Sequence, residues 1–196
     1  LAGKKRGIVL RAYWDGDNGD SSGSAYIYRY DDGAWDEEIK LVPSDGAADD
    51  RFGRAVAVHG DLAVIGASGD DDHGECSGAA YVYRYDDGAW TEEAKLVASD
   101  GAADDRFGHA VAVHGDLIAV GACGDDDNGE YSGAAYLYRF DGDAWIEESK
   151  VVSSDGAPFD YFGYAIGVHG ELLIVGADEL AHLIQDEDNV PGTGFS

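Results

Sequence analysis

The sequence has no methionine and only two cysteines, Cys76 and Cys123, in 196 residues. No metal-binding cysteine spacing exists, and a disulfide would need the two alpha carbons within roughly 7 Å, which neighbouring units do not guarantee. Positive charge is equally scarce: 13 lysines and arginines stand against 40 aspartates and glutamates, a net charge of −27. A surface of that sign excludes nucleic acid, because phosphate binding needs a basic patch. It favours cations, or cationic patches on other proteins, and a saline or calcium-containing milieu such as the cell exterior; a halophile's cytoplasm fits the charge equally well. No apolar run approaches the roughly 20 residues that span a bilayer, so no membrane span is expected. Nucleophile motifs, a phosphate-binding loop and clustered histidines are missing too. With no initiating methionine, and with LAGKKRGIVL opening in mid-pattern, the chain reads as a fragment or a processed product carrying no intact signal peptide.

What the chain has instead is a period. Phe52, Phe107 and Phe162 share a register with a spacing of 55 residues, as do Trp35, Trp90 and Trp145, Tyr26, Tyr81 and Tyr136, and the histidines His59, His114 and His169. A repeat of that length without helical periodicity is one supersecondary unit that buries its apolar surface only by stacking on its neighbours. At 44% hydrophobic the chain has enough apolar residues for such a core.

Within the unit that starts at Phe52 the apolar stretches are short, β-rich and separated by glycine and aspartate. This grammar predicts four strands, at about 55–58, 62–67, 79–85 and 92–98. Four antiparallel strands per unit are a propeller blade. Polarity rises from the first predicted strand to the fourth, as expected if the first lines the narrow axis and the fourth is a charged outer edge. The expected architecture is an all-β partial propeller of about three and a half blades in one array, residues 1–196. Blade 1 (7–51) lacks its first strand, blades 2 (52–106) and 3 (107–161) are whole, and 162–177 begins blade 4. Residues 178–196 form an off-repeat tail, in which Asp178 is placed to cap a short helix over 179–185. An array that starts and stops in mid-blade reads as an arc of a longer chain, or as one that self-associates through exposed blade faces.

His59 and its copies fall at the tight connection between the first and second strands, where they read as turn residues rather than zinc ligands. Tyr81, Tyr83 and Trp90 read as packing between blades, and the cysteines as unpaired replacements of small residues.

The elements FG, AVAVHGDLAVIGA, GDDDHGECSGAAYVY and KLVASDGAADDRFG recur in fixed order and register. Over about residues 7–177 this pattern resembles the bacterial-type FG-GAP repeat, which is related to the repeats of the integrin alpha β-propeller. The resemblance implies a propeller fold and a non-enzymatic extracellular or cell-surface role in adhesion and ligand binding, often with calcium. Kelch and WD-type repeats fit less well, since their glycine pair and WD signatures are missing. One departure matters: the family's DxDxDG calcium loop between the first and second strands is replaced here by VHGD.

The acidic cluster stands instead between the second and third strands. There Asp15, Asp17 and Asp20, then Asp70, Asp72 and Glu75, then Asp125, Asp127 and Glu130, form three D-x-D-x-G-acid loops. Three carboxylates on a turned backbone are the beginnings of a calcium site, which wants six to eight hard oxygens, and Asp50 and Asp105 on the next connection could add to it. The same residues are equally good turn formers that bond their own backbone. Identical copies in every unit argue against a unique active site. The function expected is a scaffold binding a protein or glycan; the alternatives are a structural subunit of an extracellular assembly and the propeller part of a surface hydrolase.

Overall fold

A computed structural model describes residues 6–12 and 14–178, and these hold thirteen strands and no helix. The strands β1 (Arg6–Ala12), β2 (Ser24–Asp31) and β3 (Ala34–Leu41) form a three-stranded antiparallel sheet. Two four-stranded sheets follow, β4 (Phe52–His59) through β5 (Leu62–Ala67), β6 (Ala79–Asp86) and β7 (Ala89–Leu96), then β8 (Phe107–His114) through β9 (Leu117–Ala122), β10 (Ala134–Phe140) and β11 (Trp145–Val151). The pair β12 (Ala165–His169) and β13 (Leu172–Gly176) begins a fourth unit. Each sheet is an up-and-down meander in sequence order, so the units are partial propeller blades. The helix expected at 179–185 lies outside the described residues.

Two strand boundaries differ from the expectation. β4 begins at Phe52 because Phe52 pairs with Ala67 across a bulge before Ala55 pairs with Gly66. β7 begins at Ala89 because Trp90 pairs with Tyr85 straight after the turn. Burial also peaks on the second strand rather than the first: all six residues of β5 and of β9 are buried, whereas β4 becomes exposed towards His59.

That burial follows from a sheet covered on both faces. Along β5, Ala63, Ile65 and Ala67 pack towards blade 1, while Leu62 and Val64 pack towards blade 3. Tyr81 and Tyr83 of β6 face the first side and Val82 the second. Each core is therefore a layer between blades, and no blade owns one. Phe52 and Phe107 are fully buried in these layers, each edge-on to a tyrosine pair of its own blade, with centroids 5.4 Å from Tyr81 and from Tyr136.

Glycines set how closely the blades approach. A Cβ on Gly66 would stand 1.9 Å from the Gly108 carbonyl oxygen, and one on Gly121 would stand 2.0 Å from that of Gly163. Gly108 itself has φ +83, and a Cβ there would stand 2.1 Å from the Ala79 oxygen. The FG glycine of one blade thus rests on the GA glycine of the blade before, which ties the two halves of the motif to one contact.

Main-chain hydrogen bonds close the same seam. The Asp49, Arg51 and Phe52 N–H groups donate to the carbonyls of Asp20, Ser21 and Ser22 at 2.8, 3.1 and 2.9 Å, and both later junctions repeat the pattern. Asp49 and Arg51 adopt φ +67 and +57 to do so, a left-handed conformation that costs a non-glycine residue about 1 kcal/mol and that the ladder offsets.

Candidate functional site: acidic loops and an inner-strand groove

The acidic loops lie where the second strand turns into the third, and each receives a lysine from the fourth strand. In blade 2 the three N–H bonds of the Lys95 ammonium are matched by three carboxylates: Asp45 Oδ2 at 2.8 Å, Asp70 Oδ2 at 2.8 Å and Asp72 Oδ2 at 2.6 Å. In blade 3 Lys150 meets Asp100, Asp125 and Asp127 at 2.9, 2.7 and 2.6 Å. In blade 1 Lys40 meets Asp15 at 2.8 Å and also Asp17.

Tyrosines complete each cluster. The Tyr81 hydroxyl stands 2.8 Å from Asp45 Oδ1 and 3.0 Å from Asp70 Oδ2, and its single proton serves one of them at a time. Tyr136 stands likewise between Asp100 and Asp125, at 2.7 and 2.9 Å. Asp45 and Asp100 belong to the chain arriving from the preceding blade, so each cluster also fastens that connection.

The electrostatics follow from this geometry. Burial alone would lower the Lys95 pKa, but its hydrogen bonds to Asp45, Asp70 and Asp72 outweigh burial and hold the ammonium firmly protonated. The hydrogen bond from Lys40 holds the Asp15 carboxyl down to about 2. Asp50 and Asp105 move the other way. Both are buried, each accepts one N–H, from Ala47 and Ala102 at 2.7 Å, and desolvation pushes both up to about 6, with neighbouring Asp70 and Asp125 adding to the shift.

Of the residues expected to gather a cation, Asp15 and Asp17, Asp70 and Asp72, and Asp125 and Asp127 are brought together in pairs, each around a lysine. The third acid of each loop stands apart. The side chains of Asp20, Glu75 and Glu130 are exposed, and it is their carbonyls that are used, accepting the N–H groups of Asp49, Asp104 and Phe159 at 2.8 Å. Among the described residues no group of three or more His, Cys, Asp or Glu side chains is arranged to hold a metal ion. Cys76 and Cys123 are free thiols, and burial pushes that of Cys123 up to about 11.

Reading the sequence alone missed the lysines of the fourth strand, taken as edge charges, although Lys40, Lys95 and Lys150 keep the same 55-residue spacing as the loops they close. It also missed Glu92 and Glu147, which cap the connection before their blade. Glu92 accepts the Ser44 N–H at 3.0 Å and its hydroxyl at 2.7 Å, and Glu147 does the same for Ser99.

The first strands β4, β8 and β12 lie side by side and carry two rows of side chains. One row is constant: the rings of His59 and His114 meet tilted and those of His114 and His169 edge-to-face, with centroids 4.6 and 4.7 Å apart. The other changes with every blade, being Arg54, then His109, then Tyr164, each between an FG dipeptide and an alanine. A guanidinium nitrogen of Arg54 lies 2.9 Å from His109 Nε2, and the His109 and Tyr164 rings are 4.7 Å apart. Since arginine can only donate, Nε2 accepts and the imidazole is neutral; burial, then Arg54 and Arg106, pull its pKa down to about 4. This row edges an open groove of ≈ 450 Å³ floored by Val56, Val111 and Ile166.

Stacked four-stranded blades joined by an FG seam define a repeat protein of the propeller-blade class, a scaffold on which loops and inner strands are presented again and again. A family model for the FG-GAP repeat matches residues 35–83, 90–138 and 145–192, and the chain belongs to that family. The matches begin at the fourth-strand tryptophans and run through the next FG seam; the third continues past 178 to residue 192, where the sequence reading placed an off-repeat tail. No curated protein matches the chain significantly.

Proposed function

We propose that this FG-GAP chain is a non-enzymatic scaffold of an extracellular or cell-surface protein, binding a protein or glycan ligand. The observation that carries the reading is the division of labour among its polar residues. Those repeated in every blade are consumed in holding blades together, and what is left to vary faces an open groove. Membership of a scaffold-type repeat family and the net charge of −27 support it as well.

Calcium enters this reading through the acidic loops. Each complete cluster sets one ammonium against three carboxylates and so keeps a surplus of negative charge; a divalent cation binds there by displacing the lysine or by joining it at the exposed Asp72 and Asp127. Thermal unfolding in calcium, in magnesium and in sodium chloride of equal ionic strength separates specific binding from screening. A rise selective for calcium supports specific sites; an equal rise in all three assigns the effect to screening.

The scaffold reading is tested by applying the labelled chain to an array of glycans and extracellular matrix proteins, and by following the bound ligand for cleavage. Saturable capture without turnover is expected. Turnover of a captured glycan would favour the hydrolase alternative, and no capture at all would refute the binding role. A second reading, a structural subunit that self-associates, draws on Leu172 and Ile174 of β13, which are 62% and 65% exposed. Mass that rises with concentration in light scattering, and falls back on Leu172→Ser with Ile174→Ser, is its signature.

A further inference from the structure

The first two seams between blades are fastened by the same polar exchange. The connection leaving one blade carries a Val-x-Ser-Asp segment, and the third and fourth strands of the next blade receive it. In blade 2 the Tyr83 hydroxyl donates to the Val42 carbonyl at 3.0 Å, Glu92 accepts the Ser44 N–H and hydroxyl, and Tyr81 and Lys95 both reach Asp45 at 2.8 Å. In blade 3 Tyr138, Glu147, Tyr136 and Lys150 do the same for Val97, Ser99 and Asp100. Blade 1 keeps the receiving set as Tyr26, Tyr28, Glu37 and Lys40, in register with blade 2. Among the described residues no Val-x-Ser-Asp segment lies on it: the Tyr28 hydroxyl bonds Glu37 alone, and Lys40 meets two carboxylates where Lys95 and Lys150 meet three. The chain leaving blade 3 keeps the other half of the exchange, Val152, Ser154 and Asp155. Among the described residues Asp155 is bonded by its neighbour Ser153 alone, and no side chain reaches Ser154.

The strands divide in the same way. β12 and β13 are the first and second strands of a blade, and among the described residues the outer edge of β13 is unpaired, where β5 and β9 each pair with a third strand. Leu172 and Ile174 of β13 are exposed, whereas Leu62 and Val64 at the same positions of β5 are buried under blade 3. β2 and β3 are the third and fourth strands of a blade whose first strand is not among the described residues. One end of the array thus offers what the other end receives, in strands and in polar groups alike.

We propose that the chain pairs with a second copy of itself by sharing blades: β12 and β13 of one copy complete the sheet of β2 and β3 of the other, and segment 152–155 enters the set formed by Tyr26, Tyr28, Glu37 and Lys40. The inference rests on the self-association reading above and names the surfaces and the register within it. The shared blade needs one second strand, and β13 supplies it while β1 of the receiving copy gives way. β13 carries Gly176 at the seam position of Gly66 and Gly121, where a Cβ would meet the carbonyl of the next FG glycine at about 2 Å, and β1 carries Arg11 there. Sharing in both directions joins two whole blades from each copy and two shared ones into a closed ring of six, within the four to eight blades typical of propellers. A half-turn then relates the copies, so the head-to-tail contact closes on itself and stops at two.

The test is sedimentation velocity of the purified chain over a series of concentrations, for the wild type, Glu37→Lys, Ser154→Glu and an equimolar mixture of the two variants. Both positions are exposed, so each variant is expected to keep its fold. The wild type is expected to reach twice the mass of one chain and no more. Glu37→Lys removes the acceptor for Ser154 of the other copy, and Ser154→Glu sets two carboxylates against each other; each should raise the dissociation constant about tenfold or more. The mixture should recover the dimer, because the lysine introduced in one copy meets the glutamate introduced in the other at one shared blade, while the second shared blade is native. A wild type that stays monomeric at every concentration overturns the proposal and the self-association reading together. Association that neither variant weakens, or that the mixture does not recover, overturns the shared blades alone and leaves self-association through another surface standing.

Discussion

The acidic loops and the inner-strand groove belong to the same repeat and treat it in opposite ways. In the loops every copy follows the same plan. Aspartates, a tyrosine and a lysine recur in register, and their donors and acceptors are spent on one another. In the groove every copy differs, as Arg54, His109 and Tyr164 follow one another across adjacent strands. Residues that must fit a neighbouring blade are constrained alike in all blades, whereas the residues along the groove are free of that constraint. The contrast marks where the repeat fails, and it assigns the most conspicuous sequence feature, the acid-rich loop, first of all to architecture.

That comparison can be broken at several points. The largest effect is expected at the seam, where Gly66→Ala and Gly121→Ala each force a methyl group to within about 2 Å of a backbone carbonyl. A loss of about 3 kcal/mol or more in urea unfolding, or failure to fold, is the expected result. Next come the loop lysines. Lys95→Met with Lys150→Met leaves the nearly buried Asp70 and Asp125 without their counter-charge and should cost about 2–4 kcal/mol per site, with the loss reduced at high salt.

A third effect runs the other way and depends on pH. Asp50 and Asp105 have folded pKa values near 6, above the unfolded carboxylate value. Between about pH 4 and 6 the folded state therefore binds more protons than the unfolded one, and stability falls as pH rises through that window. Asp50→Asn and Asp105→Asn should each stabilise by about 1–2 kcal/mol at pH 7.5, fading towards zero near pH 4, as read from urea midpoints across pH. The smallest effect belongs to the groove: Tyr164→Ala, at a residue 44% exposed, should shift stability by no more than about 1 kcal/mol.

Much of the fold was legible in the sequence for physical reasons. Sheets covered on both faces need continuous apolar strands such as LAVIGA and LIAVGA, tight turns need glycine, and one 55-residue unit repeated requires stacking. The all-β fold of four-stranded blades on a 55-residue repeat followed directly. The content of the acidic loops was less legible, since Lys95 reaches Asp72 from 23 residues away and Asp45 from 50 residues away, and a charged edge strand looks the same whether its charges face solvent or a partner. The groove was hidden for another reason. A period is carried by the positions at which the repeats agree, and Arg54 of β4, His109 of β8 and Tyr164 just before β12 come together only once blades are stacked.

The central claim is that each acidic loop is closed by its own lysine, and it is tested most directly by a double-mutant cycle on Lys150 and Asp125. Lys150→Met, Asp125→Asn and the pair are compared by urea unfolding at about 150 mM sodium chloride without divalent ions. A coupling free energy of about 1.5 kcal/mol or more, the double variant losing less than the two singles together, is what a closed clamp predicts. Additive losses would contradict it and return the loops to independently solvated turns.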